Sequence, residues 1–340
     1  MAVLVALGAG ALASFAASAL SVSVLGRRAV LDVPNHRSSH TTATVRGAGI
    51  GLGVGTLVAL AIAHSSFNDP ELAGLVVAGV GFGVIGLVDD LTGALSAAAR
   101  LALQVIVATG VVVVISQEAT YTVLVTSLVG LVAAVWIVAF VNAFNFMDGI
   151  NGISCAQAIA AGVAFSLIAW HGHDVALLAG SLALVAGSIG FVPFNFPRAR
   201  AFLGDVGSYF AGAWLAVLVI VGLHESIPPE AMLAPVALYL ADTGVTLTSR
   251  LVRHEPWSEP HRDHAYQRLV DIGWSHTRTT LVVFVTVAVC SLLGSVSVFG
   301  SIELRVGADC ATLAVIASYL LLPSIAKSRS GTGTRRTRLL

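Results

Sequence analysis

Ala2-Val-Leu-Val-Ala-Leu-Gly-Ala-Gly-Ala-Leu-Ala-Ser-Phe-Ala-Ala-Ser-Ala-Leu-Ser-Val-Ser-Val-Leu25 runs for 24 residues without a charge, and Arg27 and Arg28 follow at once. About 20 such residues carry a helix across the hydrocarbon of a bilayer. A secretory leader places its positive charge before the apolar stretch, whereas here the charge comes after it. The run therefore reads as a retained anchor with its N-terminus outside and its arginines inside.

Ten further apolar runs follow, at about 48–64, 72–88, 101–116, 121–141, 153–170, 175–192, 208–223, 231–249, 279–298 and 310–326. Composition agrees with so many spans. Hydrophobic residues make up 56% of the 340, and charged residues only 11%. A soluble domain carries about 25% charged residues, so this chain cannot clothe a water-facing surface. Intrinsic disorder, which needs low hydrophobicity and high net charge, is excluded for the same reason. Eighteen basic residues balance eighteen acidic ones, which predicts no nucleic acid or other polyanionic partner. The expected fold is all-α: a polytopic membrane protein of about eleven transmembrane helices in one domain over residues 1–326. Residues 327–340 form a basic tail expected to be disordered and drawn to the anionic lipids of the inner leaflet.

Eleven crossings from an outside N-terminus put the C-terminus in the cytoplasm, and the positive-inside rule tests that parity. On this topology seventeen of the eighteen basic residues lie inside, from Arg27 and Arg28 through Arg46, Arg100, Arg198 and Arg250 to Lys327; Arg305 alone lies outside. The outer connections, Ser65–Glu71, Gln117–Thr120, His171–Asp174, His224–Glu230 and Gly300–Asp309, read as solvated turns. Cys155, Cys290 and Cys310 are too few and too scattered for a disulfide framework or a zinc site.

Gly81-Phe-Gly83-Val-Ile-Gly86 spells a dinucleotide-binding motif, but it lies inside a membrane run with no strand before it. Small residues that let helices pack closely are the better account.

Five polar clusters fall on the inner side, where polar groups at membrane ends are functional candidates. Asp32-Val-Pro-Asn-His-Arg-Ser-Ser-His40, with Thr44, Arg46, Gly47 and Gly49, suits a phosphate-binding loop, or else an ordinary basic loop. Asp89-Asp90, followed by Leu95-Ser96 and Arg100, is a pair of mutually repelling carboxylates that can hold Mg²⁺ or supply a general base, unless it merely caps a helix in water. In Asn142-Ala-Phe-Asn145-Phe-Met-Asp148-Gly-Ile-Asn151-Gly152, polar residues recur every three positions and share a helix face before glycines break the chain. Phe202-Leu-Gly204-Asp205-Val-Gly207-Ser208 sets one carboxylate among glycines, as a metal ligand or as a solvated cap. The longest inner loop, Arg250–Arg278, holds His261-Arg262-Asp263-His264-Ala-Tyr266-Gln267, which can meet a diphosphate and a sugar or base, or can be a plain amphipathic segment. Asp242 lies within the ninth run and should face the protein interior, whether for function or for structural pairing.

In this order and on one side, the clusters resemble the polyprenyl-phosphate N-acetylhexosamine-1-phosphate transferases (glycosyl transferase family 4), from about Asp32 to Arg278. The resemblance implies catalytic roles for Asp89, Asp90 and Asp148 and an Mg²⁺ site at Asp205 with Asn145, where Mn²⁺ can substitute. It assigns substrate contacts to Thr44, Arg46, Asn142, Gly149, Ile150, Asn151, Phe202, His261, Arg262 and His264. Translocase-type members carry a lysine three positions after the aspartate pair, where Gly93 stands, and three successive histidines where this chain has His261-Arg262-Asp263-His264. Both departures favour the O-antigen-initiating branch over the phospho-MurNAc-pentapeptide translocases.

The implied reaction is attack by undecaprenyl phosphate on a UDP-N-acetylhexosamine, giving undecaprenyl-diphospho-sugar and UMP at the inner face of a bacterial plasma membrane. A multi-pass transporter is the alternative, but it calls for polar or broken-helix elements near the midplane and often for internal repeats, and apart from Asp242 neither is visible. Neither sugar identity nor oligomeric state is legible; a homodimer is compatible with the sequence.

Overall fold

The computed structural model describes residues 2–34, 42–64, 69–116, 123–255 and 261–331. The chain opens with α1 (Ala2–Arg27), a hairpin of β1 (Leu31–Asp32) on β2 (Thr44–Val45), and α2 (Ile50–Ala63). There follow α3 (Pro70–Thr92), α4 (Ala97–Ile115), α5 (Val123–Met147), α6 (Ile153–Gly172), α7 (Val175–Asn195) and α8 (Gly204–His224). The last elements are α9 (Pro229–Val252), the short α10 (Ala265–Asp271), α11 (His276–Phe299) and α12 (Ile302–Gly331). Ten of these helices are long and apolar enough to cross a membrane, and the protein is a multi-pass membrane protein.

The second apolar run makes only 14 helical residues, about 21 Å of rise against a hydrocarbon core of about 30 Å. It still carries the chain from one end of the bundle to the other. Gly51 lies on Ser18, Gly55 on Ser14 and Ala59 on Gly10, so α2 runs antiparallel to the whole outer part of α1. Successive long helices alternate in the same way. One end gathers the hairpin, the Asp89-Asp90 end of α3, the start of α4 and the Met147 end of α5. At the opposite end Glu71 meets His224, and Arg305 meets Glu230 at 2.6 Å.

Helix ends differ systematically from the apolar runs. α3 continues to Thr92, α5 to Met147 and α9 to Val252, while α8 begins at Gly204. Each extension is a polar turn that hydropathy leaves out, and most of the site residues ride on such turns. α12 differs in two ways. Residues 302–309, expected in a solvated turn, are helical, because Arg305 finds Glu230. At the other end the helix runs five residues into the expected tail, and residues 332–340 lie outside the described residues, as do 35–41 of the first cluster and the turn at 117–120.

α8 is apolar all round, and a helix of that kind belongs inside a bundle. Tyr209, Phe210, Trp214, Leu215 and Leu218 are all buried, with α3 and α5 packed along it. The Phe210 and Trp214 rings stack at 5.3 Å. Two of the three glycines of the false dinucleotide motif make the α3 contact, while Gly81 faces Val107 of α4. A Cβ on Gly86 would collide with the Asp205 carbonyl, and Gly83 faces the Phe210 ring. Gly86→Val should therefore force α3 off α8 and destabilise the protein by about 1–3 kcal/mol. Gly110→Val, at a site with open space around it, should leave the thermal midpoint of the detergent-solubilised protein unchanged.

Candidate active site

The end of α3 and the start of α8 meet at a buried group of carboxylates. Asp89, Asp90 and Asp205 are each less than one-tenth exposed. Such a group needs positive partners, and two arginines supply them. Arg46, just after β2, places Nε 2.6 Å from Asp90 Oδ1 and Nη2 3.0 Å from Asp205 Oδ2. Arg100, from the first turn of α4, places Nη1 2.7 Å from Asp89 Oδ2 and 3.9 Å from Asp205 Oδ2. Burial opposes the Arg46 charge, but Asp205 and Asp90 hold its pKa above the ordinary value.

The two adjacent aspartates have different surroundings. Asp90 Oδ1 accepts the Asp205 N–H at 3.1 Å and Oδ2 accepts the Val206 N–H at 3.0 Å. These are unpaired donors at a helix start, so Asp90 caps α8 from a neighbouring helix and favours its positive N-terminal end. With Arg46 added, three of the roughly four acceptor positions of the Asp90 carboxylate are taken. Among the described residues Asp89 is held by Arg100, and it lies close enough to Asp205 for their carboxyls to interact. The cap needs close backbone approach: Gly204 has φ +72°, and a Cβ there would strike Asp90 and Gly47.

The α5 end supplies amide and hydroxyl groups. Asn145 Nδ2 donates to Asp205 Oδ1 at 2.9 Å and to Ser208 Oγ at 2.8 Å. Asp148 Oδ1 accepts from Ser154 Oγ at 2.6 Å. Burial, opposed by Ser154 and reinforced by Asp205 and Asp90, pushes the Asp148 carboxyl up to about 7. The break between α5 and α6 is fixed by Asn195, whose Oδ1 accepts the Gly152 N–H at 2.6 Å, and by Asn151 Nδ2 on the Pro197 carbonyl at 3.1 Å.

The long loop docks on the same end. The Tyr266 hydroxyl donates to the Phe146 carbonyl at 3.0 Å and rests where a Gly149 side chain would otherwise stand. His264 is buried with its ring 5.1 Å from that of His261, and burial, together with His264 and Arg250, pushes the His261 imidazole below its ordinary pKa.

Asp89, Asp90, Asp205, Arg46, Asn145 and Asp148 thus come together, with Tyr266 over Gly149 and the His264 ring 6.4 Å from that of Phe146. Four expected substrate contacts stand differently. The Thr44 hydroxyl is spent on the Thr42 carbonyl, and Asn142 donates to Gln104 Oε1 and to Val138, one turn below Asn145. Ile150 is buried in the core, and Arg262 pairs with Asp271 at 2.6 Å. The Phe202 backbone pairs with Val45 and Ala48 and fixes the hairpin against the α8 start. The sequence reading set Arg100 beside the aspartate pair but gave it no role in the site; the Ser96 cap that starts α4 one turn earlier was its signal. It gave no role to Ser208, which it quoted with Asp205, and passed over Asn195; their partners Asn145 and Gly152 are distant in the chain.

Three carboxylates and an amide are the oxygen donors that suit a hard divalent cation. Here Arg46 stands between Asp90 and Asp205, and Arg100 between Asp89 and Asp205. Asn145 has its amide nitrogen toward Asp205; exchanging nitrogen and oxygen is a matter of assignment and would turn Oδ1 there. Among the described residues, a second group with metal-ligating atoms, Glu71, His224 and Glu225, lies at the opposite end with those atoms within 4.8 Å of one another.

Comparison with known proteins bears on the same residues. The profile of glycosyl transferase family 4 matches residues 72–223, from α3 through α8. A Bacillus subtilis (strain 168) protein described as "Probable undecaprenyl-phosphate N-acetylglucosaminyl 1-phosphate transferase" is 27% identical over 75% of this chain and 73% of its own length. The decaprenyl-phosphate N-acetylglucosaminephosphotransferase of Mycobacterium leprae (strain TN) is 27% identical over 87% and 83%. The phospho-N-acetylmuramoyl-pentapeptide-transferase of Lactobacillus acidophilus is 28% identical over 64% and 72%.

Two predictions separate the carboxylates. Asp90→Asn should destabilise the protein by about 2 kcal/mol, since a buried cap and ion-pair partner is lost, whereas Asp89→Asn should leave its thermal midpoint nearly unchanged. The folded Asp148 carboxyl titrates near 7 against an ordinary value of 3.8, so the unfolded chain ionises first and stability falls as pH rises between those values. Asp148→Asn, which keeps an acceptor for Ser154, should remove that fall when thermal midpoints are compared at pH 5 and pH 8.

Proposed function

Because the chain belongs to glycosyl transferase family 4, the polyprenyl-phosphate N-acetylhexosamine-1-phosphate transferases, we propose that its carboxylate end carries out that family's transfer. The protein is a transferase that moves a sugar-1-phosphate from a UDP-sugar to a polyprenyl phosphate, an early membrane step in making a cell-surface glycan. The observation that carries this reading is the meeting of Asp89, Asp90 and Asp205 with two arginines at one end of an apolar bundle. A lipid tail can stay in hydrocarbon there while its phosphate reaches the charged end. The carboxylate end faces the cytoplasm, the side from which a nucleotide-sugar arrives, and the membrane is the bacterial plasma membrane. The arginine distribution supports that orientation: among the described arginines, Arg305 alone is at the other end.

Two anions must meet, so the barrier is mainly electrostatic. Arg46 and Arg100 oppose the repulsion, and the α8 N-terminus adds the partial positive charge of its backbone amides. Asp89, whose carboxylate is the less committed of the pair, orients the acceptor phosphate or takes its proton. Asp90 holds the α8 start in place. Asp205 and Asn145 would hold Mg²⁺, with Mn²⁺ as a substitute, and the ion would neutralise diphosphate charge and stabilise departing UMP. His261 and His264 lie on the loop that receives the nucleotide-sugar. Two of the three named relatives, those covered over the larger share of this chain, are described as N-acetylglucosamine-phosphate transferases, which makes UDP-N-acetylglucosamine the first donor to test.

The test is a reconstitution. The purified protein in lipid, given undecaprenyl phosphate, Mg²⁺ and each UDP-N-acetylhexosamine in turn, should release UMP and form a lipid-linked diphospho-sugar. No product from the full panel would refute the transferase reading in favour of transport. Asp205→Ala should abolish turnover. Arg100→Ala should lower kcat by about 10²-fold, with Arg100→Lys recovering part of the loss; an unchanged kcat would remove Arg100 from the reaction.

A further inference from the structure

Asp242 is a carboxylate on α9, 1% exposed, away from the Asp205 group. A charge so deep must be answered by donors, and four groups from α9, α12 and the α10 start supply them. The Ala265 N–H, at the start of α10, donates to both carboxylate oxygens at 3.0 and 3.1 Å. His264 Nδ1 lies 3.2 Å from Oδ1 and the Tyr319 hydroxyl of α12 3.3 Å from Oδ2, while Thr246 donates from one turn along α9. A carboxylate can only accept in these contacts, so His264 carries a proton on Nδ1.

The consequence runs along the loop. With His264 and Ala265 held, the next residue, Tyr266, reaches the Phe146 carbonyl and lies over Gly149, in the turn that carries Asn145 and Asp148. Gln267 Oε1 closes back on the His264 N–H at 3.3 Å, and Arg268 ties the other side of α10 to Ser324 of α12 at 3.1 Å. Nearer the α9 end, Arg250 holds Asp263 at 2.8 Å and Glu255 at 3.1 Å. Every tie of the 261–271 segment to α9 or α12 passes through Asp242, Arg250 or Ser324 among these contacts, and Asp242 is the one that makes most of them.

We propose that Asp242 is a positioning residue for nucleotide-sugar binding: it fixes the His264 tautomer and docks the 261–271 loop on the Phe146–Gly149 turn. It touches neither reacting phosphate. Its effect therefore falls on capture of the soluble substrate and not on the lipid acceptor. The assignment of a substrate to this loop rests on the transferase reading, whereas the docking itself does not.

The full-length protein in nanodiscs, as wild type and as Asp242→Asn, Asp242→Ala and Tyr319→Phe, tests both parts. Amide hydrogen exchange over Ala265–Asp271 should accelerate in both Asp242 variants and less in Tyr319→Phe. KM for UDP-N-acetylglucosamine should rise about tenfold in Asp242→Asn, with KM for undecaprenyl phosphate unchanged. Unchanged exchange in Asp242→Asn and Asp242→Ala would overturn the docking claim, as would an equal rise in both KM values for the binding claim. If Asp242→Ala does not insert, the nearly isosteric Asn variant and Tyr319→Phe decide the matter. Accelerated exchange alongside a wild type inactive with every UDP-N-acetylhexosamine would keep Asp242 as the loop's anchor and sink the transferase reading.

Discussion

The Asp90 carboxylate accepting the Asp205 and Val206 amides across the α3–α8 contact is the interaction on which the rest of the site depends. It converts a helix packing problem into a catalytic one. α8 must enter the bundle centre because it is apolar on every side, and its first turn then brings unpaired amides and the Asp205 carboxylate into a region with little water. Asp90 answers the amides, Arg46 answers Asp90 and Asp205 together, and Arg100 answers Asp89. Each charge is placed by the need of another. Gly86 and Gly204 matter because they let the two backbones approach closely enough for this chain of pairings to close.

The zero net charge of the chain conceals a sharply divided molecule. Between its ends the bundle is nearly free of charge, apart from Asp242, which four donors neutralise locally. At one end, carboxylates and guanidinium groups neutralise one another in a compact network that an incoming diphosphate would have to rearrange. Such a network is balanced without substrate and poised to exchange partners with it. That is a sensible arrangement for joining two anions at a membrane surface, where neither bulk water nor hydrocarbon would stabilise both.

The fold was largely legible from the spacing of apolar runs and from the arginines that end them, because hydrocarbon thickness imposes length and charge imposes side. The runs failed at their polar ends, where hydropathy stops at Val88 or Val141 while the helix continues through Asp89-Asp90 or Asn145. Of the site, residues within one motif could be read, since Asn145 and Asp148 share a helix face by period alone. The division of labour between Asp89 and Asp90 could not, because it depends on α8 amides more than a hundred residues away. The partners of Arg100 and Asp242 were hidden for the same reason, although Asp242 itself stood out as a carboxylate inside an apolar run: each pairing is made with another element. Thr44, Asn142 and Arg262 carry the right chemistry for substrate contact, but their partners within the protein, Thr42, Gln104 and Asp271, could not be read from the motifs.

The central claim is that the α3–α8 carboxylates, and not another acidic group, form the centre where a divalent cation and a diphosphate are bound. A crystal of the purified protein soaked with Mn²⁺ and UDP-N-acetylglucosamine, measured for anomalous scattering, addresses it most directly. The account predicts a peak beside Asp205 and Asn145, with the diphosphate next to it. A peak confined to Glu71, His224 and Glu225 at the opposite end of the bundle would contradict it.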